Sequence, residues 1–185
     1  MTTSYLALLR GINVGGKNKV PMAQLRACFK DLGYASVQTY IASGNVIFES
    51  DKSAAELTEE IQHALPTRFD LDSGLIKILV LSRDQLRQIV GQAPAGFGAQ
   101  PDTFHSDVIF LLGITSDDAM TVFNPREGVD RVWQGELAIY HQRLSAQRTK
   151  SRLAQAFSSP LYKHMTVRSW STTARLMELM NAVEP

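Results

Sequence analysis

The stretch Val37-Gln-Thr-Tyr-Ile-Ala-Ser-Gly-Asn-Val-Ile-Phe48 decides the fold, because it predicts two short strands around a turn. Residues 37–41 and 46–48 are rich in β-branched and aromatic side chains, which favour strands. Ala42-Ser43-Gly44-Asn45 lies between them, and Gly and Asn tolerate the positive φ angles of hairpin turns. The sequence therefore predicts a β-hairpin here, and the flanking segments determine how its sheet is completed.

One strand and one helix are predicted on each side of this hairpin. Tyr5–Leu9 is an apolar run of strand length, and a helix from Pro21 to Gly33 carries apolar residues at helical spacing: Met22, Leu25, Phe29 and Leu32. Downstream, Ala54–Leu65 is predicted as an amphipathic helix and Ile76–Leu81 as the fourth strand. The order strand, helix, strand, strand, helix, strand is that of a ferredoxin-like βαββαβ unit.

The second half of the chain predicts the same order again. A capping box, Ser82-Arg-Asp-Gln85, opens a helix that stops at Gly91, and the Gly- and Pro-rich residues 92–104 form the predicted linker. The elements expected after it are a strand at Asp107–Leu112, a short helix capped by Ser116-Asp117-Asp118, a hairpin of Val129–Trp133 and Glu136–His141, a helix near Thr149–Phe157, a strand at Met165–Arg168 and a final helix carrying Leu176, Leu179, Met180 and Val183. We therefore predict an α+β protein of two tandem ferredoxin-like subdomains, 1–91 and 105–185, with antiparallel sheets and helices on one face.

The composition excludes several classes of protein. With 185 residues, 44% apolar and 20% charged, and with Cys28 as its single cysteine, the chain is neither a disordered segment nor a disulfide scaffold. No apolar run approaches the roughly 18 residues of a membrane-spanning helix, and the N-terminus lacks the basic start of a signal peptide. We expect a cytoplasmic protein without a membrane partner. The four scattered histidines lack metal-ligand spacing, and no cofactor is expected.

The net charge of +1 hides a strong segregation of charge along the chain. Residues 1–48 carry a net charge of +4, residues 49–136 carry −8, and residues 137–177 carry seven basic side chains and no acidic one. Two basic segments indicate one anion-facing surface if the fold brings them together. The alternative is that these long cationic side chains only lie on solvated surfaces.

The most specific motif is the run Arg10-Gly-Ile-Asn-Val-Gly-Gly-Lys-Asn-Lys19 directly after the first strand. Gly11-x4-Gly16-Lys17 matches the phosphate-binding P-loop pattern, but Asn18 replaces the Ser or Thr that would ligate magnesium. Glycines let backbone N–H groups turn towards an anion, and Lys17 can reach it from the side. The missing hydroxyl and the helix start at Pro21 argue against a nucleotide hydrolase. The alternative is that the glycines only shape a surface loop.

Two further segments are candidates for the same anion site. In a βαββαβ sheet the first and third strands are antiparallel neighbours, so Ser43 and Asn45 are expected near the Arg10–Lys17 loop, although Ser-Gly-Asn also makes a plain turn. Near the C-terminus, Lys163, Arg168 and Trp170 precede a helix N-terminus, which presents free N–H groups to anions. The alternative there is that Ser171 or Thr172 caps the helix and Trp170 packs in the core.

Three motifs closely resemble the bacterial domain-of-unknown-function 1697 family. They are Leu8-Leu-Arg-Gly-Ile-Asn-Val-Gly-Gly-Lys-Asn-Lys-Val-Pro-Met-Ala-Gln-Leu-Arg26, then Thr39-Tyr-Ile-Ala-Ser-Gly-Asn-Val-Ile-Phe-Glu-Ser50, and Thr166-Val-Arg-Ser-Trp-Ser-Thr172. The resemblance implies a cytoplasmic protein of two ferredoxin-like subdomains, and it implies no established activity. The family usually has asparagine where Ser169 and Ser171 stand here.

Three hypotheses for the function follow. The first is a binding module for a phosphate-bearing ligand, either a nucleotide or a nucleic-acid backbone. The second is an enzyme acting on a phosphorylated small molecule, with Lys17 and Arg168 as electrophilic clamps, although no general base is evident. The third is a structural or interaction protein. The candidate anion-binding residues are Arg10, Gly11, Asn13, Gly15, Gly16, Lys17, Lys19, Ser43, Asn45, Lys163, Arg168 and Trp170.

Overall fold

The computed structural model describes residues 2–72 and 76–182, and Val183 lies outside these ranges. The described chain forms two four-stranded antiparallel sheets with helices packed alongside them, which confirms the predicted α+β class. By compactness the chain divides into unit 1, Met1–Leu86 with Leu176–Pro185, and unit 2, Arg87–Arg175. The linker predicted at residues 92–104 stays a prediction.

Unit 1 has the predicted order of strands and helices. Its elements are β1 (Thr3–Arg10), α1 (Met22–Asp31), β2 (Ala35–Tyr40), β3 (Asn45–Ser50), α2 (Ala54–Arg68) and β4 (Lys77–Ser82). The strands lie in the order β2-β3-β1-β4, all antiparallel, with Leu8 opposite Asn45 on one side and Leu79 on the other. This is the ferredoxin-like arrangement. It places the C-terminal end of β1 and the β2–β3 turn at the same end of the sheet.

Apolar periodicity explains why α1 and α2 cover the same face of this sheet. Alternate residues of β1 join buried residues from both helices in one core cluster, because successive strand side chains point to opposite faces. Phe48 lies inside this cluster, with its ring centroid 4.7 Å from that of Tyr34 and 5.3 Å from that of Phe29. A capping box between Ser53 and Glu56 fixes the start of α2.

Unit 2 repeats the strand order of unit 1. Two helices, α3 (Arg83–Gly91) and α6 (Trp170–Ala182), cross the boundaries between the units, and the elements between them are β5 (Phe104–Leu111), α4 (Ser116–Met120), β6 (Asp130–Gln134), β7 (Ala138–Leu144), a 3-10 helix (Ser145–Lys150), α5 (Leu153–Phe157), a second 3-10 helix (Pro160–His164) and β8 (Met165–Ser169). The strand order is β6-β7-β5-β8. The predicted topological repeat is therefore confirmed.

Two predictions of local structure in unit 2 are wrong. Thr115, rather than Ser116, caps α4, because its extended backbone lets its hydroxyl accept the N–H of Asp118 over 3.1 Å. The single helix predicted near residues 149–157 is a 3-10 helix followed by the five-residue α5. The break falls at Ser151, whose extended φ and ψ of −61° and 140° end the first segment.

In unit 1, α1 begins at Met22, one residue later than predicted, because Pro21 takes the extended N-cap position. The capping box predicted at the start of α3 is present, with Ser82 N–H donating to Gln85 Oε1 and Gln85 N–H donating to Ser82 Oγ. Most element boundaries therefore follow from local signals, and the exception at α4 occurs where the neighbouring Thr115 and Ser116 compete for one capping role.

Candidate anion-binding site

The glycine-rich loop of residues 11–19 leaves the end of β1 and folds back on itself. The N–H of Lys17 donates to Val14 O over 3.1 Å, and the N–H of Asn13 donates to Asn18 O over 3.0 Å. Gly15 and Gly16 form the tip, with φ of +59° and +77°, as two-residue hairpin turns of type I′ require. A methyl group on either glycine would meet no described atom within 4 Å, so the tip faces open space.

Asn13 ties this loop to its surroundings. Its Nδ2 donates to Val20 O and to Ala42 O, each over 3.0 Å, and its Oδ1 accepts the N–H of Val20 over 2.8 Å. Both amide hydrogens are therefore used inside the protein. Asn13 holds the loop against the β2–β3 turn, which contains Ala42, and this accounts for its presence without a bound ligand.

Asn18 fixes the other arm of the loop. Its Nδ2 donates to Gly11 O over 2.9 Å, and its Oδ1 accepts the N–H of Asp72 over 2.8 Å. Asn13 and Asn18 have positive φ angles of +54° and +48°, which asparagine adopts more readily than most residues. The two asparagines together give the tip a fixed backbone shape.

The β2–β3 turn lies beside this loop, as the sheet topology predicts. The N–H of Leu9 donates to Gly44 O over 2.8 Å. A Cβ at residue 44 would lie 2.8 Å from Ile12 Cδ1 and 2.9 Å from Leu9 Cβ, so glycine is required for this approach. Asn45 is fully buried and donates through Nδ2 to Ser43 Oγ over 2.8 Å and to the carbonyl oxygen of Tyr40.

The same end of unit 1 combines backbone strain with exposed apolar side chains. Ile41 has a φ of +47°, an outlier for a β-branched residue. Val14 and Ile41 are 67% and 49% exposed, and they are the exposed large apolar side chains of the described chain. Strained residues and exposed apolar groups both concentrate at functional surfaces.

Cationic side chains lie on the loop and at the strand ends of unit 1. Lys17 and Lys19 are exposed, and half-buried Arg10 pairs in register with Lys77 of β4. The helix α1 starts directly after the loop, with no side-chain cap at Pro21 and no acidic residue in its first turn. A helix N-terminus of this kind favours anions. The loop and the start of α1 therefore carry basic side chains and no acidic one.

The C-terminal candidates lie in unit 2, in different environments. Lys163 is exposed on the second 3-10 helix. Arg168 is only 7% exposed, and its Nη1 donates to Thr166 Oγ1 and Val167 O. Burial lowers the pKa of Arg168 to about 10. Of these residues, Lys163 is the one whose charge lies at the surface.

Trp170 begins α6 and packs within unit 2. Its ring centroid lies 5.3 Å from that of Phe97 in an edge-on contact, and a Cβ at Gly98 would collide with its indole. Ser169 accepts the N–H of Thr172 through its Oγ over 3.2 Å, so Ser169 caps α6, where Ser171 or Thr172 was the predicted alternative. Serine and asparagine are both favoured N-caps, which explains how Ser169 can replace the usual asparagine of the resembled family.

Sequence reasoning missed a buried polar cluster at one end of the unit 2 sheet. His141 Nε2 lies 3.3 Å from Asp130 Oδ1, and both side chains are almost fully buried. Burial lowers the pKa of His141, although Asp130 and Asp107 oppose the shift. Its Nδ1 has no hydrogen-bond partner among the described residues. The pair depends on the β6–β7 register, which single residues in a sequence do not reveal.

The second oxygen of Asp130 binds backbone. Asp130 Oδ2 accepts the N–H of Arg126 over 3.1 Å and the N–H of Arg152 over 2.9 Å. Burial favours the protonated acid, but these N–H groups and the hydroxyl of Ser151 outweigh it, so the pKa of Asp130 is lowered. The carboxylate therefore joins the start of β6 to the segment before α5.

Fold and loop together define the class of this chain: an α+β protein of two ferredoxin-like units, with a rigid cationic glycine-rich loop in the first. The chain belongs to the family described as "Protein of unknown function (DUF1697)", which matches residues 1–140. This confirms the resemblance carried by the sequence motifs. No curated protein is similar enough to this chain to count as a match.

A solved structure extends the likeness over the whole chain. The conserved bacterial protein SP0830 from Streptococcus pneumoniae is 29% identical, with a TM-score of 0.83, over 97% of this chain and 99% of that one. The fold of this chain is thus shared with a conserved bacterial protein. In residues 2–72 and 76–182, no helix is long and apolar enough to cross a membrane.

Proposed function

We propose that the loop of residues 11–19 binds a phosphate-bearing ligand, either a nucleotide or a nucleic-acid backbone. The observation that carries this proposal is the open tip at Gly15-Gly16-Lys17, which Asn13 and Asn18 hold rigid from behind. A rigid site binds more tightly than a flexible one, because less conformational entropy is lost on binding.

The chemistry of the loop suits an anion better than a neutral ligand, and its P-loop-like glycine pattern favours phosphate. Lys17 and Lys19 supply mobile ammonium groups on exposed side chains. The glycine backbone lets N–H groups approach oxygen atoms closely, and the uncapped start of α1 adds partial positive charge. Asn18 lacks a magnesium-binding hydroxyl and bonds backbone instead, so binding rather than hydrolysis is proposed.

The basic region 143–168 is the second part of the proposal. Its exposed cations are Arg148, Lys150 and Lys163, whereas buried Arg168 supports the sheet. That one ligand contacts both basic segments stays a prediction, as does the cytoplasmic location. A nucleic-acid backbone would use many such cations at once, and its affinity would fall steeply with salt.

The test measures binding by thermal shift and by fluorescence anisotropy, with inorganic phosphate, nucleotides, and single- and double-stranded oligonucleotides at low and moderate salt. A ligand that binds the folded state raises the melting temperature. We expect Lys17→Ala to weaken binding at least fivefold. We expect Asp72→Asn to strengthen it, because that exposed acid is bonded to the loop through its backbone.

The matched control is Lys30→Ala, which removes an exposed lysine from the far end of α1. It should bind like the unchanged protein. Equal binding by Lys17→Ala and Lys30→Ala would show that the loop does not contact the ligand, and no shift with any phosphate compound would remove the proposal.

A further inference from the structure

Unit 2 contains a small cleft on the sheet face that α4 and α5 leave uncovered. One wall is the segment of residues 94–100, and the floor is the strand face that carries Phe104, Arg131, Trp133 and Gln142. Arg131 lies opposite Gln142 in the β6–β7 register, so the two side chains emerge on the same face. The cleft holds about 170 Å³, less than the roughly 300–1,000 Å³ of pockets for drug-sized ligands. Its size suits a single planar group.

The cleft is lined by aromatic and guanidinium groups that are still accessible. Phe104 and Trp133 are half-buried, and Arg131 is exposed. The guanidinium carbon of Arg131 lies 5.7 Å from the centroid of the Phe104 ring. Phe97 is buried behind them and meets Trp133 edge-on, with ring centroids 6.0 Å apart. This contact holds Trp133 in place, while its position in the lining leaves it open to a ligand.

Gln142 adds hydrogen-bonding capacity at the floor of the cleft. Its side chain is nearly buried, and its Nε2 donates to Ser106 Oγ over 3.0 Å. That bond uses one amide hydrogen, and Gln142 is part of the cleft lining, so its Oε1 is the acceptor that it can offer to a ligand. The bond to Ser106 is the one side-chain hydrogen bond of Gln142 among residues 2–72 and 76–182.

We infer that this cleft binds a nucleobase with an exocyclic amino group. Bases stack on aromatic rings and on arginine guanidinium planes, and the amino group supplies the N–H donor that Gln142 Oε1 can accept. An aliphatic ligand has no π-system to stack on the guanidinium plane. A phosphate would lose hydration against the aromatic rings without gaining contacts from them. The base can come from a free nucleotide or from a single strand, in which bases are unstacked and accessible.

This inference goes beyond the phosphate site, because the cleft lies wholly within unit 2 and its ligand needs no phosphate. Nucleosides, which lack phosphate, therefore separate the two proposals. Lys17→Ala should bind nucleosides as the unchanged protein does, whichever way the phosphate experiment turns out.

The test titrates adenosine, cytidine and uridine into the isotope-labelled full-length protein and follows the indole N–H of Trp133 by NMR. We expect saturable shifts with adenosine and cytidine. N6,N6-dimethyladenosine, titrated beside them, should bind more weakly because its amino group carries no N–H, whereas uridine can still donate its N3–H to Gln142 Oε1. Trp133→Leu should weaken adenosine binding about tenfold, as loss of one stacking partner does. Arg131→Gln should weaken it severalfold. Arg131 is exposed, so Arg131→Gln tests the site even if Trp133→Leu disturbs folding.

Arg126→Gln is the matched control, since it removes an exposed arginine of unit 2 outside the cleft. Single-stranded and duplex oligonucleotides identify the source of the base. If the single strand binds more tightly than the duplex and Arg131→Gln weakens this binding, the base comes from a nucleic-acid strand. If adenosine binds and the oligonucleotides do not, the base comes from a free nucleotide. No saturable shift with any nucleoside, or equal effects of Arg131→Gln and Arg126→Gln, would overturn the inference.

Discussion

Units 1 and 2 share one strand order but differ in what their helices cover. In unit 1, helices of 10 and 15 residues pack an apolar face that includes three aromatic rings in contact, one pair stacked and one pair edge-on. In unit 2, α4 and α5 have five residues each, and one end of the sheet face carries Asp107, Asp130 and His141 instead of apolar residues. Backbone pairing sets the topology in both units, whereas helix length decides how much of the sheet can be apolar.

The difference predicts that the two units lose stability in different ways. Unit 1 depends on close packing, so it should be sensitive to cavities. Unit 2 encloses charged groups that need their hydrogen bonds, so it should be sensitive to pH and to the loss of single acceptors.

The largest effect is expected from Phe48→Ala in unit 1. Phe48 is fully buried against Tyr34 and Phe29, and truncation of such a ring leaves a cavity and costs about 4 kcal/mol. The free energy of unfolding in urea measures the total loss, and hydrogen exchange of peptides from each unit locates it. If exchange accelerates first in peptides of unit 2, the proposal that unit 1 is the unit sensitive to cavities is contradicted.

The matching change in unit 2 is Asp130→Asn, with an expected loss of about 3 kcal/mol. Asparagine keeps the size of the side chain but turns one carboxylate oxygen into a donor, which then faces the N–H groups of Arg126 and Arg152 or the ring of His141. Asp118→Asn, at an exposed cap of α4, is the control and should cost much less. Equal losses would mean that burial of Asp130 does not matter.

Local patterns and topology explain why so much of the fold is predictable. The hairpin between residues 37 and 48, the capping boxes and the apolar spacing each act over a few residues, and a βαββαβ order then allows few sheet arrangements. For this reason it was predictable that the glycine-rich loop lies beside the turn at Gly44. It follows directly from the antiparallel pairing of β1 and β3.

The environment of individual charges was much less predictable. Arg168 alternates along β8 as a surface cation would, and only the packing on its face makes it buried. Asp130 and His141 come together through the β6–β7 register, in which Val132 lies opposite His141. A shift of one residue would have separated them. Whether the two basic segments meet stays a prediction.

A pH titration sharpens the comparison further. The pKa of His141 is lowered mainly by burial, so below about pH 6.5 the unfolded chain binds a proton that the folded chain does not. The stability of unit 2 should therefore fall as the pH drops from about 6.5 to the lowered pKa. One such proton contributes a slope of at most about 1.4 kcal/mol per pH unit.

His141→Gln should remove this part of the slope, while His63→Gln in unit 1, an exposed histidine of α2, should leave it in place. Asp130 adds a second loss at lower pH, because its lowered pKa stabilises the fold only while the carboxylate is ionised. Urea unfolding between pH 5 and pH 8 measures the slope. A slope unchanged in His141→Gln would show that this histidine does not link folding to protonation.

The smallest effect concerns backbone strain, which unit 1 alone shows among the described residues. All four positive-φ residues other than glycine belong to it: Asn13, Asn18, Ser36 and Ile41. Ile41→Gly should raise the stability of unit 1 by about 1 kcal/mol, because glycine adopts this φ without a clash between Cβ and the backbone. Ala42→Gly, the next residue of the same turn, should lower stability slightly, since its φ is ordinary and glycine only adds freedom to the unfolded chain. Thermal unfolding of the two variants separates these effects. If Ile41→Gly also weakens phosphate binding, the strained backbone at Ile41 helps to set the shape of the glycine-rich loop, which Asn13 joins to this turn. If binding is unchanged, the strain is only a cost of forming a tight hairpin.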